Sequence, residues 1–252
     1  MKFILLAAGK IAEKFVSDDR FKDVNTFNLV GMIASHSVYQ RINPENITFK
    51  PTFILDEKNN NEQQLINLIY KVRPDYILSI QYPWILPKEI LLAVSGRVLN
   101  MHNARLPDYR GYNTISHEIL NNERMHTSTL HWVSEEVDMG KIVKTRNLEI
   151  QSEDTAYSLW SRSIDSSLCL LDDWFKELSQ GSGFPCGEAI KTGGRYYSKN
   201  INNYKRIPES ASLDIIDKWA RAFWFPPNEP AYLQFEEKKL YILPKTWKYN
   251  IG

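Results

Sequence analysis

Cysteine is nearly absent from this chain, and its scarcity narrows the class of protein. Cys169 and Cys186 form no C-x-x-C pair and lie near no histidine at zinc spacing. The thiols are therefore expected to be reduced, as in a cytoplasmic protein. An excess of charge is also absent, since 31 basic and 30 acidic residues give a formal net charge of +1. A broad nucleic-acid-binding face needs a strongly basic surface, so no nucleic-acid partner is expected.

Long apolar runs and the usual cofactor motifs are missing too. No segment approaches the roughly 18 uninterrupted apolar residues of a membrane span, so no membrane partner is expected. The apolar N-terminal residues run into a helical pattern rather than a cleavage site, which indicates a first strand. The sequence has no G-x-G-x-x-G, P-loop, G-x-S-x-G or H-E-x-x-H pattern. We therefore expect no bound metal.

The first half of the chain shows an alternation of buried strands with helices. Helical patterns follow Gly9 and span residues 61–72 and 87–93, the last with Pro87 as its first helical residue. The alternation is typical of βαβ units and predicts an α/β fold with a mainly parallel central sheet. The strands predicted from continuous apolar runs are 2–7, 27–34, 76–80 and 97–100.

After Gly111 the pattern changes to half-exposed strands followed by a long helix. Residues 127–133 and 141–150 predict two strands, and 152–178 predict a helix that begins at S-x-D-T. A looser tail follows, with a helix from 212 to 223 and a β-hairpin in YLQFEEKKLYIL. We therefore predict a main domain of residues 1–183 and a small C-terminal helix and β-hairpin region of residues 184–252.

One of the predicted strands ends in polar residues, within VLNMHNARLPDYRG at 98–111. Asn100 and His102 are two positions apart, so both side chains point to the same side of an extended strand. Ligands of open α/β sheets bind beyond the carboxyl ends of the strands, although capping of the turn is an equal alternative for this pair. Asp138, in the turn before Gly140, is the acid best placed to orient an imidazole. His131 is expected on the exposed or sheet-facing side of its strand.

Three motifs taken together are far more specific than any of them alone. N-x-H at 100–102, L-P-D-Y-R-G at 106–111 and D-x-G at 138–140 resemble the formyltransferase family that uses N10-formyltetrahydrofolate. The resemblance covers roughly residues 1–180 and implies a Rossmann-like catalytic domain. It also implies that N10-formyltetrahydrofolate is the formyl donor, and that Asn100, His102 and Asp138 form a catalytic triad.

The resemblance further implies a folate-binding site. In the family, the segment after the corresponding strand wraps the pterin, and here that segment is SIQYPWILP at 79–87. The turn at 135–138 would lie on the other side of the pterin. A plain core role is the alternative for the apolar members of the segment. The folate-binding residues predicted in this way are Gln81, Tyr82, Trp84, Ile85, Leu86, Glu135 and Val137.

Family members formylate a purine-pathway ribonucleotide amine, the methionine of an initiator tRNA, or the amine of a nucleotide-linked sugar. The tRNA enzymes carry a sizeable basic C-terminal domain, whereas residues 184–252 have no charge excess large enough to bind a phosphate backbone. The short aromatic tail resembles the sugar N-formyltransferases. This resemblance implies a dTDP-linked 3- or 4-amino-6-deoxyhexose as acceptor, a homodimer, and a product that enters a surface polysaccharide such as O-antigen. A methionyl-tRNA formyltransferase-like enzyme and a non-catalytic folate-binding scaffold are the alternatives.

Candidate acceptor residues are aromatic rings that can stack on a base and basic groups that can meet a diphosphate. For all of these residues except Arg110 there is an alternative role. The aromatic rings would pack against other apolar groups, and the basic groups would be solvated at the surface. Arg110 lies in the motif loop, and we predict that it binds or shapes the sugar site. Phe225 and Lys191 are further candidates of the same kinds. The predicted acceptor-site residues are Lys10, Tyr109, Arg110, Asn113, Arg195, Tyr196, Trp224 and Tyr232.

Overall fold

The computed structural model of the protein describes residues 1–21, 28–41, 53–54, 62–181, 183–190 and 193–246. The helices are α1 (Gly9–Ser17), α2 (His36–Tyr39), α3 (Glu62–Val72), α4 (Lys88–Ala93), α5 (Thr114–Leu120), α6 (Ala156–Ser179) and α7 (Leu213–Ala222). Short 3₁₀ helices span Asp19–Phe21 and Asn202–Tyr204. The strands are β1 (Lys2–Ala7), β2 (Asn28–Ala34), β3 (Phe53–Ile54), β4 (Tyr76–Ile80), β5 (Val98–His102), β6 (Tyr109–Gly111), β7 (Met125–Trp132), β8 (Ile142–Glu149), β9 (Arg195–Tyr197), β10 (Tyr232–Phe235) and β11 (Lys238–Tyr241).

A seven-stranded sheet forms the centre of the described structure, in the order β3-β2-β1-β4-β5-β7-β8. The pairs from β3 through β5 are parallel, whereas β7 runs antiparallel to both β5 and β8. The parallel strands are short apolar runs because helices cover both of their faces. The predicted α/β class with a mainly parallel sheet is confirmed.

Hydrophobic clusters lie on both faces of this sheet. On one face, Leu99 and Met101 of β5 pack in the cluster that contains Leu168 and Leu171 of α6. On the other face, Val98 packs in the cluster formed with α3 and α4. Since side chains alternate along a strand, Asn100 and His102 share the face of Val98.

Several element boundaries differ from the sequence prediction. Pro87 is the extended N-cap of α4 rather than its first helical residue, with ψ at 160°. The long helix begins at Ala156, four residues later than predicted, because Thr155 accepts a hydrogen bond from the Ser158 amide and closes a capping box. Strand β5 continues to His102, so the imidazole belongs to the strand itself. The predicted ends Phe27 and Asn61 lie outside the described residues.

The C-terminal residues pack against the main sheet domain in several places. Strand β9 pairs in parallel with β6, and Glu188 forms a bridge with Ile142. Helix α7 contacts α5, and a third hydrophobic cluster joins residues of α5 and α6 to Ile207 and Phe223. Strands β10 and β11 form the predicted hairpin. In the part of the chain that the structure describes, no helix is long and apolar enough to cross a membrane.

Candidate active site

The predicted triad residues converge at the carboxyl end of β5. The His102 Nδ1 atom lies 3.8 Å from Asp138 Oδ2. Asn100 is opposite His131 in the antiparallel register between β5 and β7. The loop after β7 returns Asp138 to this point with a positive φ of 56°. The structure therefore brings together an amide, two imidazoles and a carboxylate, where the sequence predicted one amide, one imidazole and one carboxylate.

The short strand β6 orients both His102 and Asp138 through its backbone. The Nε2 atom of His102 is 2.8 Å from the Tyr109 carbonyl oxygen. A carbonyl can only accept, so Nε2 must carry the proton, and Nδ1 is the nitrogen turned towards Asp138. The Asp138 Oδ2 atom accepts a hydrogen bond of 3.0 Å from the Gly111 amide. The nitrogen of His102 that keeps a free lone pair is therefore Nδ1.

His131 is the site residue that the sequence interpretation missed. Its side chain is only 2% exposed and faces the site, not the exposed side of its strand. The Nδ1–H group donates to the Trp132 carbonyl at 2.9 Å, and Nε2 lies 3.1 Å from Asn100 Nδ2. Burial, together with the neighbouring His102, lowers the pKa of His131 to about 4. The ring is thus neutral at neutral pH, and its Nε2 lone pair accepts a hydrogen bond from the Asn100 amide.

The predicted folate segment follows β4 and has a mixed environment. Gln81 has a φ of 53°, and its Oε1 accepts a hydrogen bond of 2.8 Å from the Ile11 amide. The Gln81 side-chain oxygen is therefore held by the first turn of α1. Gly9 fits this arrangement because a Cβ there would lie 2.7 Å from Gln81 Oε1. The role of Gln81 in folate binding stays a prediction.

The remaining predicted folate residues form a partly open apolar surface. Tyr82, Trp84 and Leu86 are half-buried against the α3 and α4 cluster, whereas Ile85 is 73% exposed. Burial raises the pKa of Tyr82 to about 12, so its hydroxyl keeps its proton. In the turn that leads to Asp138, Glu135 pairs with Lys88 Nζ at 2.6 Å, and Val137 is half-buried. The Lys88–Glu135 pair links the turn before Asp138 to the start of α4.

Four predicted acceptor residues meet at the pairing of β6 with β9. Tyr109 is buried, stacks on Tyr197 at 5.5 Å and donates its hydroxyl to Glu123, so its ring supports the loop. The Nη1 of Arg110 pairs with Glu136 at 2.9 Å, and its buried Nε has no hydrogen-bond partner. Arg195 and Tyr196 follow on β9.

Tyr196 is the exposed aromatic ring nearest to the triad along this pairing. Its ring is 49% exposed and lies against Gly111, where a Cβ would be 2.9 Å from Cε2. Gly111 in turn donates its amide to Asp138, so one residue separates the exposed ring from a triad carboxylate. Asn113 supports the same region, because its Nδ2 donates to the Lys199 carbonyl at 3.1 Å. Tyr196 is therefore well placed for an acceptor contact.

The other acceptor candidates are not brought to the triad by any contact in the described structure. Trp224 is 8% exposed and buried beside the third cluster, and Phe225 packs on Trp160, so both rings serve packing. Tyr232 lies on the hairpin, with Lys239 Nζ at 4.1 Å from its ring. Lys10 pairs with Glu13 on α1. Lys191 lies outside the described residues.

Among the described residues, no group of three or more His, Cys, Asp or Glu side chains could hold a metal ion. The groups that converge at the end of β5 are the Asn100 amide, the His102 and His131 imidazoles and the Asp138 carboxylate. A neutral, buried imidazole beside a second imidazole and a carboxylate is an arrangement suited to proton transfer.

Comparisons with known proteins show which family and fold this chain resembles. GDP-perosamine N-formyltransferase from Brucella melitensis is 32% identical over 171 residues, which are 67% of this chain and 64% of that protein. A 4-N formyltransferase from Francisella tularensis has the same fold, with a TM-score of 0.72 at 18% identity over 96% of each chain. The N-formyltransferase from Helicobacter canadensis, solved with folinic acid and dTDP-3-aminofucose, gives a TM-score of 0.66 at 18% identity, over 95% of this chain and 86% of that one.

The first of these relatives is longer than the matched region, since this chain spans just under two thirds of its length. The two solved structures establish the fold alone at their level of identity. A family model gives the decisive match, because the model of the formyl transferase family covers residues 22–168, which include all three triad positions and His131. The chain belongs to the formyl transferase family.

Proposed function

We propose that this protein is a sugar N-formyltransferase. It transfers a formyl group from N10-formyltetrahydrofolate to the amine of a nucleotide-linked sugar, with a dTDP-linked 3- or 4-amino-6-deoxyhexose as the acceptor. The observation that carries the proposal is the convergence of Asn100, His102 and Asp138 at the end of β5, with His131 behind Asn100. This set supplies a fixed hydrogen-bond donor and a fixed proton acceptor on one side of a strand end.

The amide of Asn100 is oriented for donation to a developing negative charge. Its Nδ2 donates one N–H to the neutral His131 ring, so the second N–H is free to face a substrate. N10-formyltetrahydrofolate supplies an electrophilic formyl carbon when bound, and the formyl oxygen gains negative charge as an amine adds. A preorganised donor at that oxygen contributes about 3 kcal/mol to transition-state stabilisation in comparable enzymes.

The imidazole of His102 is oriented for proton transfer. Because Nε2 is held by the Tyr109 carbonyl, Nδ1 is the atom that takes the proton lost by the attacking amine and returns it to the departing folate nitrogen. Asp138 faces this nitrogen and stabilises the imidazolium while it exists. The Gly111 amide in turn holds the Asp138 carboxylate in place.

The residues present fit both substrates. The half-buried Tyr82, Trp84 and Leu86 and the exposed Ile85 offer an apolar surface for the pterin, with Glu135 and Val137 on the opposite side. Tyr196, Arg110 and Arg195 lie beside the triad and offer an aromatic face and positive charge to a nucleoside diphosphate. Names of the relatives support a sugar acceptor, although one names a GDP-linked sugar and another a dTDP-linked one.

We also propose that the protein is a homodimer. The hairpin of β10 and β11 exposes Phe235, Leu240 and Tyr241 at its edge. Proteins normally cover or pair such an apolar sheet edge, and a second copy of the chain would do so.

A mass-spectrometric assay tests the function. Purified protein is mixed with N10-formyltetrahydrofolate and a panel of 3-amino and 4-amino sugars linked to dTDP or to GDP. We expect one sugar to gain the mass of a formyl group, which would identify both the nucleotide and the position of the amine. Formylation of charged initiator tRNA instead would make the protein a tRNA enzyme, and folate binding without transfer to any amine would make it a scaffold.

Substitution of the triad tests the mechanism. We expect Asn100→Ala, His102→Ala and Asp138→Ala each to lower turnover by about 100-fold or more while the protein stays folded. The exposed His36→Ala and Asp165→Ala serve as matched controls, because both remove the same side-chain types from the surface. Turnover near the wild-type value in any triad variant would remove that residue from the mechanism.

A further inference from the structure

A buried hydrogen-bonded network lies behind β5, on the face opposite the triad. Asn103 directly follows His102 and continues the side of the strand that bears Leu99 and Met101. There the apolar packing gives way to polar contacts with β7 and α6. The Asn103 Oδ1 atom contacts His126 Nε2 at 3.2 Å, Ser128 Oγ at 3.3 Å and Ser167 Oγ at 3.1 Å.

The orientation of the Asn103 amide follows from Ser163. The Ser163 hydroxyl donates to the Trp160 carbonyl at 2.7 Å, so its oxygen can only accept from Asn103, at 2.7 Å. The atom facing Ser163 is therefore Nδ2, and Oδ1 faces His126. Because Oδ1 can only accept, the Nε2 atom of His126 must carry a proton.

The other nitrogen of His126 is held by Glu118. These two side chains are 0% and 1% exposed, and His126 Nδ1 lies 2.8 Å from Glu118 Oε2. One proton occupies this contact, either on the nitrogen or on the oxygen. The Nε2 atom of His126 carries a second proton. The Glu118–His126 pair therefore has no net charge, whether the shared proton is on Nδ1 or on Oε2. Burial raises the pKa of the Glu118 carboxyl, which agrees with a proton kept within the pair.

The pair acts on the end of β5 through Asn103. Glu118 fixes the Nε2–H tautomer of His126, and that N–H anchors the amide next to His102 in sequence. On the other face of the strand, His102 is held by Tyr109. The end of β5, at His102, is therefore held by hydrogen bonds on both of its faces. Without this tautomer, an unprotonated His126 Nε2 would face Asn103 Oδ1. The hydrogen bond that holds Asn103 on this face of the strand would then be lost.

We infer that Asn103 is a positioning residue, and that the Glu118–His126 pair holds it and thereby fixes the ring of His102. The inference rests on the proposed function only for its kinetic consequence. Glu118 lies on α5, which follows the motif loop, so the same helix is linked to both sides of the reactive ring. Neither Asn103 nor Glu118 touches a substrate in this arrangement, so both act through His102.

Four variants of the full-length chain test the inference. Glu118→Leu removes the hold on the His126 tautomer, whereas Glu118→Gln keeps it, because the amide can donate to Nδ1. The double variant Ser163→Ala and Ser167→Ala removes two partners of Asn103, in case Glu118→Leu fails to fold. Ser166→Ala is the matched control, since its buried hydroxyl on the same helix has no hydrogen-bond partner.

The readouts are the kcat and KM of formyl transfer and the ring N–H signals of histidine-labelled protein in NMR. We expect Glu118→Leu and the double serine variant to lower kcat by about 10- to 100-fold, with little change in KM, and to shift the His102 Nε2–H signal. Glu118→Gln and Ser166→Ala should retain both the rate and the signal.

An unchanged His102 signal in both folded disruptive variants would overturn the inference, as would a Glu118→Gln variant that loses as much as Glu118→Leu. If the wild-type protein transfers no formyl group to any acceptor, the proposed function fails, and the NMR signals alone then decide this inference. The two failures are therefore distinguishable.

Discussion

At the scale of single residues, the amide of Asn100 depends on His131 for its orientation. The neutral ring accepts one N–H of the amide at 3.1 Å and so directs the other N–H outwards. We expect His131→Leu to lower kcat by roughly 10- to 100-fold, because the amide can then rotate away from the formyl oxygen. His131→Gln should recover part of this loss, since its carbonyl oxygen can accept the same N–H. Equal kcat values for the two variants would contradict this role.

The triad and its partner show what sequence can and cannot predict about single residues. Asn100, His102 and Asp138 could be grouped from the sequence because their motifs occur in a specific order, and the structure brings these residues together, while their catalytic role stays a prediction. His131 was missed because its contact with Asn100 depends on the antiparallel register between β5 and β7, which no local pattern encodes. The sequence did contain one indication of His131. It lies seven residues before Asp138, near the end of the strand that leads into the turn with Asp138.

A buried histidine outside the active site gives a pH-dependent prediction. The ring of His117 stacks on Tyr197 at 4.0 Å, and burial lowers the pKa of His117 from 6.5 to about 4. Between these values the unfolded chain binds a proton that the folded protein does not, so the free energy of unfolding falls as the pH falls. We expect His117→Phe, which keeps the stacking, to reduce this fall by at most about 1.4 kcal/mol per pH unit between pH 6.5 and 4.

Urea unfolding at several pH values measures this difference. The control is His36→Phe, which makes the same substitution at an exposed histidine. Parallel stability curves for the wild type and His117→Phe would show that His117 is protonated in the folded protein.

At the scale of elements, the pairing of β6 with β9 depends on a glycine. Gly111 has a φ of +87°, and a Cβ at this position would clash with the Tyr197 carbonyl and the Tyr196 ring. We expect Gly111→Ala to lower the free energy of unfolding by more than about 1–2 kcal/mol and to lower kcat, because the Gly111 amide also holds Asp138. Gly96→Ala is the matched control, with a φ of +74° and open space around its Cβ.

Gly96→Ala measures only the free-energy cost of placing alanine at a positive φ. The difference between the two variants therefore measures the cost of the clash at Gly111. If Gly111→Ala were no worse than Gly96→Ala in stability and retained full kcat, the β6–β9 contact would have no part in positioning Asp138. Urea unfolding and steady-state kinetics provide the two measurements.

The start of α6 allows a test of helix capping. The predicted helix began at Ser152, the first residue of S-x-D-T, whereas Thr155, its last residue, is the one that accepts the Ser158 amide. We expect Thr155→Ala to cost about 1 kcal/mol of stability and Ser152→Ala to cost almost nothing. Thermal unfolding of the two variants measures this difference. A larger loss of stability for Ser152→Ala than for Thr155→Ala would mean that Ser152 is the residue that caps the helix.

Elements with strong periodicity were predictable, but their boundaries and long-range pairings were not. Strand β4 was predicted with both of its ends, because it is a continuous apolar run that is buried on both faces. The end of β5 was predicted two residues early, since the polar pair resembles a turn in sequence although it forms part of the strand. The pairing of β6 with β9 joins three-residue strands that lie far apart in the chain, and strands this short have no periodicity to read.

At the scale of the whole molecule, the sequence predicted the α/β sheet and the small C-terminal hairpin, and the structure confirms both. The division at Gly183 stays a prediction, and extensive contacts cross it. Strand β9 completes the loop that holds His102 and Asp138, and α7 shares a hydrophobic cluster with α5 and α6. Sequence could not anticipate this sharing, because the cluster joins residues that lie far apart in the chain, such as Ile119 and Phe223, which no local pattern relates.

The shared cluster predicts that both regions unfold together. Trp174 reports on the sheet domain and Trp219 on the C-terminal region, where its indole donates to the Tyr204 carbonyl. We expect the urea transition seen by tryptophan fluorescence to coincide with the loss of far-UV circular dichroism, both in the wild type and, at its own midpoint, in Trp219→Phe, where Trp219 no longer contributes to the signal. The C-terminal region has little core of its own, since its buried side chains lie against α5 and α6. An earlier transition seen only through Trp219, with formyl transfer retained, would mean that β9 is dispensable for the loop that orients His102.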